Sequence, residues 1–169
     1  MNEMTRMFRW LGTMSLALLS CAAVSGADGG YSGYARHREL LREATKYENR
    51  GKYVKAARLY RRSALYAGDT KTKATLLVRR GDCFVNADKP YDAFDSYRVL
   101  LETYPLYVPY DHVIGNLRDL AERFVRGDGT FLGLRDKDKA IETYELILQE
   151  VPAVEGSVQD SMRLAQLLL

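Results

Sequence analysis

The chain has 169 residues, 47% of them apolar and 28% charged, with a formal net charge of +3. That size and balance suit one globular domain with a substantial core and exclude a largely disordered chain. An isoelectric point near 8.8 is only weakly basic, so nucleic acid is not an expected partner.

The chain begins with an expected export signal over residues 1–20. Arg6 and Arg9 precede an apolar run from Trp10 to Leu19, interrupted by Gly12, Thr13 and Ser15. The run is shorter than the roughly 20 residues that span a membrane comfortably. Leu18-Leu19-Ser20-Cys21 is similar to a bacterial lipobox, which implies cleavage before Cys21 and acylation of that residue. Ser25-Gly26-Ala27 offers an ordinary cleavage point instead, which would release a soluble exported protein. Residues 21–33 are rich in Ala, Gly and Ser without apolar periodicity, and are expected to form a flexible tether.

A folded body over residues 34–169 follows. A first helix is expected from Tyr34 to Asn49, with Leu40, Ala44 and Tyr47 inward and Gly51 ending it. Its partner runs from Lys52 to Ala67 and carries Ala56, Tyr60 and Ser63. Asp69 or Thr70 can cap the next helix, where Leu77, Gly81 and Phe84 make one face. A turn at Asn86 to Lys89 and Pro90 at a helix start lead into the stripe Ala93, Tyr97, Leu100 and Leu101, which Pro105 stops. Helices joined by so short a turn must pack antiparallel. Beyond an extended connector containing Pro109, a further helix carries Leu117, Leu120, Ala121 and Phe124 to Arg126. The segment 127–136 then interrupts with three glycines among Phe131, Leu132 and Leu134. It is expected either to cover the protein's own helices or to dock a partner. Ala140, Tyr144, Ile147 and Pro152 follow, and Val154 to Leu169 supplies one last helix with Leu164, Ala165 and Leu168 apolar.

A small residue, an aromatic three later, Ala after the turn, an aromatic four later and a closing Pro together resemble the tetratricopeptide (TPR) repeat. The repeat core would comprise Ala44, Tyr47, Ala56, Tyr60, Gly81, Phe84, Ala93, Tyr97, Pro105, Ala121, Phe124, Ala140, Tyr144 and Pro152. From small residue to turn Ala the separation is 12 in two copies (44 to 56, 81 to 93) and 19 in the third (121 to 140). The resemblance implies an all-α helix-turn-helix solenoid of about three and a half repeats, whose concave wall binds segments of other proteins. The TPR groove that clamps a carboxylate uses Lys and Asn where Leu41 and Thr45 stand here, so no such clamp is expected. Leu41, Thr45, Val78 and Asp82 on the first helices, with Phe131 and Leu132 of the insertion, are the candidate partner-binding residues. Three apolar residues at the end, where a solenoid normally turns polar, suggest a truncated relative or a covering partner.

Cys21, the tether, Gly51-Lys52-Tyr53 with Ala56, and Tyr104-Pro105 and Val151-Pro152 closing helices also resemble the BamD family of outer-membrane assembly lipoproteins. That likeness implies a lipid-anchored protein on the periplasmic face of the outer membrane, contacting an assembly barrel or unfolded envelope proteins. BamD-like proteins have about five repeat units, more than this chain supplies. An envelope adaptor that coordinates peptidoglycan synthesis or division is the alternative.

Catalysis is not expected. His37, read as outward on the first helix, and His112 are isolated, and Cys83 reads as a small buried thiol, without a disulfide partner if Cys21 is acylated or removed. No metal-ligand spacing occurs, so neither metal nor cofactor is expected.

Overall fold

The computed structural model describes residues 28–150 and 156–169. Among them seven α-helices follow one another: α1 (Asp28–Glu48), α2 (Tyr53–Ala64), α3 (Thr70–Asn86), α4 (Pro90–Thr103), α5 (Tyr110–Arg126), α6 (Lys137–Glu150) and α7 (Ser157–Leu168). No strand occurs among the described residues, so the fold is all-α. None of these helices is long and apolar enough to cross a membrane. The signal, Cys21, tether residues 21–27 and Pro152 lie outside the described residues.

Local chemistry explains the helix limits. Asp69 precedes α3 in extended backbone and accepts the Thr72 N–H at 2.7 Å, which satisfies one of the orphan donors of the first turn. Pro90 opens α4, where its missing N–H costs nothing. α1 starts at Asp28, ahead of the expected Tyr34, so part of the expected tether is helical. Once a helix is nucleated by packing, each added residue contributes a backbone hydrogen bond, which extends it into poor formers such as Gly29, Gly30 and Gly33.

The helices α1, α3 and α5 end in the same way. A left-handed residue closes each: Gly51 (φ 68°), Asp88 (φ 56°) and Gly127 (φ 85°). That residue's N–H bonds back to Glu48, Val85 and Phe124 carbonyls respectively, and the next N–H reaches Tyr47, Phe84 and Arg123 carbonyls. These paired bonds are the Schellman cap, and they turn the chain tightly enough for the second helix to fold back. In the third copy the excursion 127–136 is spliced into this turn. Asp136 N–H returns to the Phe124 carbonyl at 2.9 Å, as Lys89 N–H does to Phe84 at 3.0 Å and Lys52 N–H to Tyr47 at 2.9 Å. The second helix then starts on the next residue each time, and Ala56, Ala93 and Ala140 take the same place in it.

Each helix packs mainly on its neighbours in sequence, α1 on α2, α2 on α3, α3 on α4, α5 on α6 and α6 on α7, with a thinner junction between α4 and α5. A 3-10 turn over Pro105–Tyr107 occupies that junction. The core is one cluster containing Leu40, Ala44, Ala56, Tyr60, Phe84, Ala93, Tyr97, Ala121, Phe124, Ala140 and Tyr144. Gly81 is also buried, because a Cβ there would run into the Tyr97 ring.

Several expectations need correction. Tyr47 is only half-buried, packing against the edge of the core near the end of α1, with Lys55 Nζ 4.0 Å from its ring centre. Pro105 is exposed, stopping α4 through backbone chemistry and not by packing. His37 points inward: it continues the 37, 40, 44 stripe by one turn and sets Nδ1 2.9 Å from Ser63 Oγ in the α1–α2 seam. In α7 the inward residues are Asp160 and Leu167, with Leu164 partly buried, whereas Ala165 and Leu168 face solvent. Leu132 and Leu134 are 79% and 61% exposed, so the insertion does not fold them onto the protein's own helices.

Candidate functional site

The second helix of every pair places one core tyrosine, Tyr60, Tyr97 or Tyr144, with its hydroxyl reaching back to the first helices. Each ring is buried among apolar residues, so its O–H must find a partner there. Each finds a carboxylate. Tyr60 donates to Glu48 of α1, Tyr97 to Asp82 of α3 at 2.6 Å, and Tyr144 to Glu122 of α5 at 2.8 Å.

Each carboxylate also binds a nitrogen donor or base from the next first helix. Arg79 of α3 donates to Glu48 at 2.6 Å and lays its guanidinium 4.7 Å from the Tyr60 ring centre. His112 of α5 stands 2.8 Å from Asp82, while Asn116 donates to the Tyr97 hydroxyl at 2.9 Å. Arg163 of α7 grips Glu122 through two bonds, 2.7 and 2.8 Å long. A tyrosine, a carboxylate and a nitrogen side chain thus recur at three junctions. In the last, a second fork adds Arg118 on Asp160, a carboxylate only 4% exposed. Bidentate pairs of this kind fix orientation as well as distance.

The electrostatics follow from burial and these partners. Burial first, and the Glu48 bond second, push the Tyr60 hydroxyl up to about 12. The same causes, with Asp82 and Glu122 as acceptors, push Tyr97 and Tyr144 higher still. The Arg163 hydrogen bonds hold the Glu122 carboxyl below its usual value. At neutral pH these tyrosines are neutral donors, and none is poised as a general base. Cys83 is fully buried and burial pushes its thiol up to about 12, which leaves it unreactive as a nucleophile. No group of three or more His, Cys, Asp or Glu able to hold a metal ion occurs among the described residues.

No protein family, curated protein or solved structure matches this chain.

The first-helix candidates are engaged within the chain itself. Asp82 is the hub of the middle junction, and Thr45 donates to the Leu41 carbonyl at 3.1 Å while approaching the Tyr60 hydroxyl at 3.4 Å. Leu41 and Val78 pack half-buried against the core. Among the insertion candidates, Leu132 stands free in solvent in a left-handed conformation (φ 56°). The loop is held by Thr130 Oγ1, which bridges the Gly127 and Leu134 carbonyls at 2.8 and 2.6 Å, and by Tyr91 donating to Asp136 at 2.7 Å. Sequence reasoning missed Glu48, Arg79, Asn116, Glu122 and Arg163. The signal available was a core tyrosine, whose hydroxyl demands a polar partner, beside a carboxylate on the preceding helix.

Proposed function

We propose that this protein is a non-catalytic TPR-type scaffold of the cell envelope, BamD-like in role, that holds other proteins during outer-membrane β-barrel assembly. The observation that supports the reading is the threefold recurrence of one capped helix pair, each tied to the next by a tyrosine–carboxylate–nitrogen junction. Such a stack presents an extended surface whose junction hydroxyls and carboxylates are already bonded within the chain, which suits it to hold partners rather than to transform substrates. The exposed Leu132 and Leu134 give that surface an apolar projection. The lipobox-like Cys21 would anchor the scaffold to the periplasmic face of the outer membrane, because several acyl chains bind far better than one.

Cross-linking in native cells, followed by mass spectrometry of the membrane fraction, tests this. Recovery of an assembly barrel supports it; recovery of cell-wall synthases selects the peptidoglycan or division adaptor instead. Cys21→Ala should release the chain from membranes, and continued sedimentation would show that a protein partner is the anchor.

A further inference from the structure

The α3 helix has a second side. At about 100° per residue, Lys73, Leu77 and Arg80 lie together on the face roughly opposite Arg79 and Asp82. There α2 with its C-cap Leu65, α3, and α4 with its C-cap Tyr104 line an open groove of about 560 Å³. Its apolar surface comes from Leu65, Leu77 and Val99, of which Leu65 is 75% exposed, while Arg61, Lys73 and Arg80 supply positive charge. Among the described residues no hydrogen bond or ion pair engages any of these three cationic side chains. The cleft beside α7 is different, since its Arg118 and Arg163 are already bonded to Asp160 and Glu122.

Like charges gathered without a directly bonded counter-ion cost free energy unless something neutralises them. Burial first, and Arg61 beside it second, hold the Arg80 guanidinium below its ordinary pKa. Asp92 and Asp95 of α4 oppose the shift, yet neither pairs with it, and Asp95 instead accepts from Arg98 at 3.2 Å. The guanidinium lies 5.5 Å from the Phe84 ring centre, which steadies the planar fork for two-pronged binding of a carboxylate.

We propose that this groove docks an acidic segment of another protein that carries apolar side chains between its carboxylates. Charge complementarity selects the acid, and the apolar lining of Leu77 with Leu65 and Val99 selects the apolar partner residues. The site does not depend on the repeat-family reading above, so either can fail alone.

The test is fluorescence anisotropy of a labelled peptide of alternating Glu and Leu with the purified protein. Saturable binding is expected, weakening at higher salt. Binding should fall roughly tenfold in Arg80→Ala and in Arg61→Glu, but not in Arg135→Ala on the remote insertion. Arg61 is exposed, so Arg61→Glu keeps the test valid if Arg80→Ala fails to fold, as far-UV circular dichroism would reveal. Absence of peptide binding, equal affinity in the groove variants, equal binding of a Lys and Leu peptide, or binding only to anionic phosphatidylglycerol vesicles would each overturn the proposal.

Discussion

Two glycines in helix interiors should respond in opposite directions to the same added methyl group. In Gly81→Ala, the new Cβ would lie within 3 Å of three atoms of the Tyr97 ring. That ring cannot swing aside. It is fully buried, and its hydroxyl is held by Asp82 at 2.6 Å and Asn116 at 2.9 Å. Overpacking of this kind costs about 1–3 kcal/mol, against a gain of about 1 kcal/mol for replacing a mid-helix glycine with alanine. Gly81→Ala should therefore be destabilised by up to about 2 kcal/mol. At Gly115 in α5 an added Cβ would meet nothing within 4 Å, so Gly115→Ala should collect only the gain, about 0.5–1 kcal/mol. Urea unfolding followed by circular dichroism measures both, and thermal melts should separate them at about 2–4 °C per kcal/mol. In a Tyr97→Ala background the steric cost should vanish and Gly81→Ala should become neutral or stabilising, as a double-mutant cycle would report. A Gly81→Ala protein as stable as Gly115→Ala would refute the close approach of α3 and α4.

Acid should loosen α7. Glu122 has a folded pKa depressed chiefly by Arg163, so its contribution is present above the ordinary glutamate value of 4.5 and is lost as pH falls through the lower folded value. Hydrogen exchange of α7 amides should accelerate over that acidic range, and Glu122→Gln should remove this share of the pH dependence; an unchanged profile would count against the junction. Cys83, in a Cys21→Ala protein, should resist iodoacetamide at neutral pH until the chain unfolds, whereas rapid labelling in the native state would contradict its burial. Leu132→Gly should stabilise by about 0.5–1 kcal/mol, because the left-handed backbone suits glycine and the exposed leucine side chain gives up little packing. A loss of stability would mean that Leu132 makes contacts its exposure denies.

Helix positions were legible wherever chemistry is local. Asp69, Pro90, Gly51 and Gly127 mark ends through capping, fixed φ or left-handed backbone, each a property of one residue and its near neighbours. The inward stripe of α3 and α4 was equally readable, since burial at a 3.6-residue period needs no knowledge of the partner. His37 was misread because a polar residue on that stripe is judged outward until a complementary group, here Ser63, is known to face it. The junctions were not readable for a related reason. Glu48 and Arg79 are 31 residues apart, and Glu122 and Arg163 are 41 apart. The first junction also takes its main carboxylate one turn after Thr45, while the others take it at the matching position, so no fixed spacing advertises the set.

By itself, then, the sequence determined the helical class, the turns and the small-residue positions, because these follow from backbone preferences and from the period of apolar burial. Only the tertiary structure decided which polar side chains meet. It also left Leu132 and Leu134 in solvent and gathered Arg61, Lys73 and Arg80 around one groove without a hydrogen-bonded carboxylate among the described residues. Those outcomes depend on how neighbouring helices are rotated about their axes, which is set by the close approach at Gly81 and its equivalents and by the reach of each side chain, quantities that exist only once the helices are packed.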